Sequence, residues 1–370
     1  MTHGSRLVDI VQARIEEFLG ERSSIVRSIS SDLAPLTSIS ERFLSGGKRF
    51  RALFCYWGWA AVEGHGFDPF ASEERADTYP VVSAASALEL FHAAALVHDD
   101  IIDNSDTRRG APAAHRLFER LHADRGWAGG SVEFGRAAAI LLGDLLLGWS
   151  DELLDEGLDR LSDRAAARAA RDEFIRMRME VTAGQYLDIL EERAWLTRSE
   201  EEQRARAELV ITYKSAKYSV EAPLAIGGAI AGASTAQLDA LRGFGLPLGM
   251  AYQLRDDLLG VYGDPEVTGK PSGDDLREGK RTVLVALARE RLAPGQRRLL
   301  DELLGDPALD PEQVRMLQRT ITESGAVDEV ERLIADHVAR ATAVLSDASL
   351  TREAKSELGS LANAVARRSS

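Results

Sequence analysis

The chain has 370 residues, of which 45% are hydrophobic and 28% charged, an ordinary composition for a globular protein with a large core. Its net charge of −14 argues against a broad nucleic-acid-binding surface, so an anionic substrate would need metal ions or local cations. The single cysteine, Cys55, excludes an internal disulfide. The N-terminal residues include acids and lack a long apolar run, so we expect no signal peptide, no transmembrane segment and a cytoplasmic protein.

Apolar residues recur at spacings of three and four along most of the chain, which predicts helices. The clearest predicted helices cover residues 8–22, 83–103, 136–154, 171–192, 238–260 and 327–347. Glycine, proline and polar residues predict loops at 63–80, 123–133 and 262–275. No segment alternates convincingly as a β-strand does, and the most apolar stretch, 222–233, is short for a membrane span. We therefore predict one all-α domain of ten or more helices.

The helix predicted at 83–103 ends in a cluster of aspartates, DDIID, within an otherwise apolar segment. Asp99 and Asp103 are four residues apart, so both carboxylates project from one helical face. Like charges at this spacing destabilise a bare helix, whereas two carboxylates aimed at one point can hold Mg²⁺. Asp100 lies beside them. The alternative interpretation is a chance arrangement on a solvated helix face.

A second acidic pair, Asp256 and Asp257, closes another apolar helix far downstream. Two such pairs favour the metal interpretation over the solvated face. They suggest opposite walls of one cavity, in which metal ions bridge the carboxylates and an anionic ligand. Diphosphate is the natural candidate, because Mg²⁺ is commonly held by a few carboxylates together with substrate phosphates.

Basic residues accompany both acidic pairs. Lys48, Arg49 and Arg51 follow two glycines, where backbone amides can approach an anion and arginine can bind phosphate in bidentate fashion. The spacing of a P-loop is absent. Arg108 and Arg109 follow the first acidic cluster directly, and Lys214, Lys270 and Lys280 form a third group of cations. His92 lies two helical turns before Asp99, where an anion-binding donor fits better than a catalytic base. Taken singly, each is most simply a solvated surface residue.

Seven segments, in order, resemble the trans-isoprenyl diphosphate synthases of the polyprenyl synthetase family over nearly the whole chain. They are GGKRFR (46–51), HAAALVHDDIIDNSDTRRG (92–110), LLGD (141–144), GQYLD (184–188), KSAKYS (214–219), YQLRDD (252–257) and GKPSGDDLREGKRT (269–282). The resemblance implies a single all-α domain over residues 1–370, folded as an isoprenoid synthase-type bundle around a central cavity. It also implies a homodimer.

The resemblance further implies a reaction and a set of site residues. The reaction condenses isopentenyl diphosphate with an allylic diphosphate (dimethylallyl, geranyl or farnesyl) and releases diphosphate, with three Mg²⁺ ions when substrate is bound. The implied metal ligands are Asp99, Asp103 and Asp256, with Asp100 and Asp257 as further catalytic acids. The implied ligands of isopentenyl diphosphate are Lys48, Arg51, His92 and Arg109. The implied ligands of the allylic diphosphate are Arg108, Lys214, Ser215, Gln253, Lys270 and Lys280.

The chain departs from the family pattern at two positions. The second acidic motif is normally DDxxD, and its last position is Gly260 here, which removes a ligand or supporting carboxylate from the third metal position. Because Asp256 and Asp257 remain, we expect activity. Ser215 replaces the usual threonine after the lysine and keeps the hydroxyl.

Product length in the family depends on the residues before the first acidic motif. Bulky residues four or five positions before the first aspartate stop elongation early, and those positions are Ala95 and Ala94 here. Phe91 lies one turn deeper, about 5.4 Å, which is close to the length of one isoprene unit. We therefore expect Phe91 to form the floor and the product to be geranylgeranyl diphosphate (C20). Farnesyl diphosphate or a product of C25 and above remain alternatives, as does Phe91 as a mere packing residue.

Two other classes of protein are alternatives at this stage. A class I terpene cyclase would carry an Asn/Ser/Glu metal motif in its second half and would not need GGKRFR. A non-catalytic partner subunit should have lost aspartates from its first motif, yet Asp99, Asp100 and Asp103 are all present.

Overall fold

The structure is a computed structural model, which describes residues 3–63, 75–108, 110–264 and 272–367. The described residues divide into two compact units, the first within Met1–Arg171 and Pro223–Ala233 and the second within Asp172–Ala222 and Ser234–Ser370. The all-α class with ten or more helices is confirmed. A single domain over residues 1–370 stays a prediction.

Helices joined by short connections make up nearly all of the described chain. In chain order they are α1 (His3–Ile29), α2 (Ala34–Phe43), α3 (Phe50–Glu63), α4 (Arg75–Ile102), α5 (Ala114–Arg125), α6 (Ser131–Leu158), α7 (Arg164–Ala194), α8 (Glu200–Val210), α9 (Ala222–Ile230), α10 (Thr235–Tyr262), α11 (Asp274–Glu278), α12 (Val283–Arg291), α13 (Pro294–Leu303), α14 (Pro311–Glu323), α15 (Ala326–Asp347) and α16 (Arg352–Arg367). Short 3₁₀ turns occupy Ser31–Leu33 and Trp195–Thr197, and a π-helical segment covers Ile211–Glu221.

A two-stranded hairpin follows α4. Its strands, β1 (Thr107–Arg108) and β2 (Ala111–Pro112), pair antiparallel with Arg108 opposite Ala111. The sequence did not predict this hairpin, because a two-residue strand is too short to show the period-two pattern of a β-strand. It is the part of the fold that carries Arg108 back towards the end of α4.

The core of the first unit is built around α4, which packs against α1, α3 and α6. Its middle is almost entirely apolar, with Leu88 and Leu90 fully buried. Over Thr78–Ile102 this helix is long and apolar enough to meet a membrane-span criterion, but 83% of the qualifying window is buried inside the protein. A core helix has these same properties, so this is weak evidence for a membrane span.

The loop predicted at 63–80 is wrong at its C-terminal end, because α4 begins at Arg75 and contains Pro80. Pro80 is the sixth residue of the helix, where the missing N–H of proline costs the helix one backbone hydrogen bond. The helix packs closely against α6 here, since a Cβ on Gly157 would lie 3.0 Å from the Pro80 carbonyl oxygen. The loop predicted at 262–275 overlaps α11, which begins at Asp274. Residues 64–74 and 265–271 lie outside the described residues.

The second unit is organised around α10, which packs against α15, α16 and the π-helical segment. Phe174 and Met177 of α7 and Phe244 of α10 are among its fully buried side chains. The N-terminus of α10 is fixed by a capping box, in which Ser234 and Gln237 satisfy each other's backbone amides. Asp256 and Asp257 lie in the last two turns of this buried helix.

Candidate active site

The GGKRFR segment forms a tight loop that ends at the first turn of α3. Gly46 and Gly47 have φ angles of +70° and +97°, in the region that favours glycine. Lys48 is exposed in this loop and Arg51 is half-buried at the start of α3. The loop therefore presents Lys48 at the surface, and the two glycines allow the turn that does so.

The third cation of this segment, Arg49, is a buried structural residue. Its Nη1 donates to Glu89 Oε2 at 3.1 Å, and its side chain also donates to Gln12 Oε1 and the Leu44 carbonyl. The Arg49 and Glu89 side chains are only 4% and 5% exposed. Glu89 also accepts from the backbone amide of Ala52 at 3.3 Å. The pair thus ties the loop and α3 to α4.

The first acidic motif occupies the last turns of α4. Asp99 and Asp103 are half-buried, whereas Asp100 is fully buried. The amide of Asp103 donates to the Asp99 carbonyl at 2.8 Å, which continues the helical hydrogen-bond pattern to Asp103. The two side chains therefore lie on one face of the helix end, as their spacing predicts.

Arg108 in β1 reaches back to this helix end. Its Nε donates to Asp100 Oδ1 at 2.8 Å, and its Nη2 donates to Asp99 Oδ2 at 3.3 Å. Burial works to lower the pKa of Arg108, but the charges of Asp100, Asp99 and Asp103, with the hydrogen bond to Asp100, outweigh it and raise the pKa. Asp100 thereby anchors Arg108 beside the carboxylates. Arg109 lies outside the described residues.

The LLGD segment of α6 makes room for His98, the residue before Asp99. A Cβ on Gly143 would lie 2.2 Å from His98 Nε2, so the ring lies directly against this glycine. The same nitrogen lies 3.2 Å from the Ile140 carbonyl and 3.5 Å from Asp144 Oδ1. Gly143 and Asp144 therefore position the acidic end of α4 from the neighbouring helix, a role that the sequence did not reveal.

Four residues expected to bind substrate or set product length precede the first motif on α4. Phe91 and Ala94 are buried, and His92 and Ala95 are half-buried. Ala95 lies one turn, and Phe91 two turns, before Asp99, so small side chains line the first turn below the aspartates and an aromatic ring follows.

In the second unit, Lys214 and Ser215 lie in the π-helical segment Ile211–Glu221. The Lys214 ammonium donates to Asp188 Oδ2, which gives the GQYLD motif of α7 a partner. π-Helical turns are rare and are frequently found at functional sites. The sequence analysis predicted no such feature.

The second acidic motif lies near the end of α10. Gln253 Nε2 donates to Asp257 Oδ1 at 2.8 Å, one turn apart on the same helix. Within the described residues, the buried Asp257 Oδ2 has no hydrogen-bond partner. Burial raises the pKa of the Asp257 carboxyl to about 8 despite the bond from Gln253. The negative charges of Asp275 and Asp256 add to this increase in the pKa.

Lys280 follows α11 and lies beside two acids of the same unit. Its Nζ is 2.6 Å from Glu278 Oε2 and 3.6 Å from Asp275 Oδ1. These contacts hold Lys280 close to the carboxylates of the GKPSGDDLREGKRT segment. Lys270, the other lysine expected in this segment, lies outside the described residues.

Both acidic motifs suit a hard divalent cation. The donors are carboxylate oxygens, and the orphaned buried oxygen of Asp257 needs a positive partner if the group is ionised. In the described part of the chain no three acidic, histidine or cysteine side chains already converge on one metal position. Mg²⁺ does not require such a cage, since it is usually held by one or two carboxylates, waters and substrate phosphates.

Comparison with known proteins agrees with these features. A model of the polyprenyl synthetase family matches residues 34–321. The chain belongs to this family. The enzyme is 30% identical to a short chain isoprenyl diphosphate synthase of Methanothermobacter thermautotrophicus over 90% of each chain. It is 31% identical to a geranylfarnesyl diphosphate synthase of Aeropyrum pernix, over 82% of this chain and 84% of the relative.

A solved structure resembles the whole chain. A geranylgeranyl pyrophosphate synthase from Corynebacterium glutamicum, complexed with isoprenyl diphosphate and magnesium, is 37% identical, with a TM-score of 0.90 and coverage of 100% of both chains. The protein is thus an isoprenyl diphosphate synthase, a trans-prenyltransferase that uses divalent metal. The individual site residues remain predictions.

Replacing Gly184 of the GQYLD motif with alanine should destabilise the synthase. The added Cβ would lie 2.3 Å from the Lys214 backbone nitrogen, and backbone cannot move away as a flexible side chain can. We expect a loss of about 1–3 kcal/mol, the usual range for overpacking, together with a higher KM for the allylic diphosphate. The matched control is Gly148→Ala in α6, where an added Cβ meets nothing within 4 Å. Thermal melting of both variants gives the answer, and equal melting temperatures would contradict the close-approach role.

Proposed function

We propose that the enzyme is a geranylgeranyl diphosphate synthase that extends dimethylallyl, geranyl or farnesyl diphosphate with isopentenyl diphosphate. In this proposal Lys48, Arg51, His92 and Arg109 bind isopentenyl diphosphate. The ligands of the allylic diphosphate are Arg108, Lys214, Ser215, Gln253, Lys270 and Lys280. The active enzyme is a cytoplasmic homodimer.

The proposed metal ligands are Asp99, Asp103 and Asp256, which would hold three Mg²⁺ ions when substrate is bound. Bound Mg²⁺ supplies charge neutralisation for the departing diphosphate. Asp100 keeps Arg108 in place, and Asp257 supports Asp256 from the buried side of α10. The chain therefore provides oxygen ligands and fixed cations within each unit.

The proposed reaction breaks the allylic C–O bond, and its electron pair leaves with the diphosphate. The isopentenyl double bond then forms a bond to the allylic carbon, and loss of a proton to the released diphosphate leaves a product five carbons longer. Lysine and arginine side chains such as Lys214 and Arg108 stabilise the charge that grows on diphosphate. The apolar faces around the aspartates exclude water, which would otherwise trap the cation as an alcohol.

The proposed product length rests on the order of side chains along α4. Ala95 and Ala94 leave space below the aspartates, and the buried Phe91 follows about one turn, roughly 5.4 Å, further along. Purified enzyme, Mg²⁺ and isopentenyl diphosphate should extend each of the C5, C10 and C15 allylic diphosphates to a C20 product, identified by mass spectrometry. Failure to elongate any starter would defeat the proposed function.

A longer product is the second candidate, favoured by the similarity to a geranylfarnesyl diphosphate synthase. The same assay separates the two, because a floor below Phe91 would let the C15 starter continue to C25 or beyond. A farnesyl product would appear as C15 from the C5 and C10 starters, with no extension of the C15 starter.

Replacing Phe91 with alanine should shift the product distribution towards C25 and longer chains. Removing the ring frees space along about one turn of α4, roughly 5.4 Å, which is enough for one more isoprene unit. The control is Phe118→Ala in α5, another buried phenylalanine of the same unit, which should lower stability without changing product length. An unchanged distribution for Phe91→Ala would show that the ring only packs the core.

A further inference from the structure

The second acidic motif is interrupted by a glycine, and the space beside this glycine is filled by another part of the same unit. An ideal Cβ on Gly260 would lie 1.9 Å from Asp275 Oδ2 and 2.3 Å from Asp275 Cγ. Real side chains do not approach so closely, so a side chain at position 260 would require the carboxylate of Asp275 to move. The Asp275 carboxylate occupies the space that a motif aspartate would enter.

Backbone conformation does not explain this glycine. Gly260 lies inside α10 and is not among the glycines with positive φ. A glycine within a helix costs about 1 kcal/mol relative to alanine, so the local backbone gains nothing from it. What glycine provides at this position is room for the Asp275 carboxylate in its present place.

Position 260 also has a defined relation to the proposed metal ligand. It follows Asp256 by four residues on one helix, so a side chain there would project beside the Asp256 carboxylate. The Asp275 carboxylate, which comes from α11, therefore approaches the same face of α10. The position of a carboxylate is kept while the residue that supplies it changes.

The surroundings also call for a cation. Asp257 is 5% exposed, and its Oδ2 has no hydrogen-bond partner within the described residues. Lys280 is shared between Asp275 and Glu278, at 3.6 Å and 2.6 Å. A buried carboxylate oxygen without a partner, such as Asp257 Oδ2, is costly unless the group is protonated or meets a cation.

We propose that Asp275 supplies the carboxylate missing from the second acidic motif and binds the same divalent cation as Asp256. This inference rests on the proposed metal role of Asp256. It adds a fourth metal-binding residue that lies outside both acidic motifs. It also explains why the loss of the last motif aspartate is compatible with an active synthase.

Titration calorimetry of the full-length enzyme with Mg²⁺ and inorganic diphosphate tests the assignment without turnover. Asp275→Asn keeps the shape of the side chain and removes its charge. We expect its affinity for Mg²⁺ with diphosphate to fall about 10–100-fold, as when a partner of a metal site is removed. The matched control, Asp274→Asn, changes the adjacent acid of α11 and should retain wild-type affinity.

A swap of the carboxylate is the sharper test. Asp275→Ala should weaken Mg²⁺ binding, Gly260→Asp alone should lower the melting temperature through crowding, and the double variant should recover most of the affinity. Wild-type affinity in Asp275→Asn, or a double variant as weak as Asp275→Ala, would overturn the inference. An enzyme that elongates prenyl chains but is indifferent to these changes refutes only the role of Asp275. A wild-type enzyme without elongation or Mg²⁺ binding refutes the proposed function as well.

Discussion

Replacing Asp103 with alanine should lower kcat by about three orders of magnitude while leaving the fold intact. The side chain is half-buried at the end of α4 and shares one helical face with Asp99. If the two carboxylates hold Mg²⁺ as proposed, removing one of them removes stabilisation of the departing diphosphate. A thousandfold loss corresponds to about 4 kcal/mol of transition-state stabilisation. Steady-state kinetics at saturating substrates, with circular dichroism of the same sample, measures both quantities.

Asp106→Ala is the matched control for this experiment. Asp106 lies in the same acidic segment, but its side chain is 63% exposed and pairs with Arg116 at 2.8 Å. It has no proposed role in catalysis, so its removal should change kcat less than about threefold, as expected for loss of an exposed ion pair. A kcat for Asp103→Ala that stays within tenfold of wild type would show that Asp103 is not a metal ligand.

Helical periodicity was sufficient to predict the architecture of the chain. The helices predicted at 83–103 and 238–260 are close to α4 and α10, because buried apolar residues recur along them at the helical period. The start of α4 was missed because Pro80 and the polar residues before it are typical of loops. The Pro80 carbonyl lies close to Gly157 of α6, and such packing between distant segments leaves no local signal.

The acidic motifs could be found from sequence because their residues are close in the chain. Other residues of the candidate site have contacts that are distant in sequence: Glu89 for Arg49, Gly143 for His98, and Asp188 for Lys214. Each of these residues is an ordinary member of a helical pattern when considered alone. Only the folded chain shows that Glu89, Gly143 and Asp188 contact residues of the candidate site.

The same reasoning applies to Gly260. In the sequence, Gly260 stands where the motif normally has an aspartate, and no nearby acid restores the spacing. In the structure, the space beside Gly260 is occupied by the carboxylate of Asp275, which lies fifteen residues further along and in another helix. In the proposal above, a change that motif comparison counts as a loss is compensated by a carboxylate from elsewhere in the unit.

Replacing either Arg49 or Glu89 with alanine should destabilise the first unit by about 3–5 kcal/mol, because each change leaves a buried charge without its partner. For a unit of this size we expect its melting temperature to fall by about 10 °C. The exposed pair of Arg164 and Asp159, with side chains 67% and 82% exposed, provides the control. Arg164→Ala should cost less than about 1 kcal/mol.

A double replacement separates the charge of this pair from its volume. In Arg49→Met/Glu89→Leu both charges are removed and the buried space stays filled with apolar groups. Replacement of a buried ion pair by well-packed apolar residues is often neutral, so this variant should melt closer to wild type than either single alanine variant. Single variants that melt within 2 °C of wild type, a shift below about 1 kcal/mol, would contradict the anchoring role. If the double variant is stable but its KM for isopentenyl diphosphate rises, the pair also fixes the position of Lys48 and Arg51, because Arg49 lies between them in the same loop.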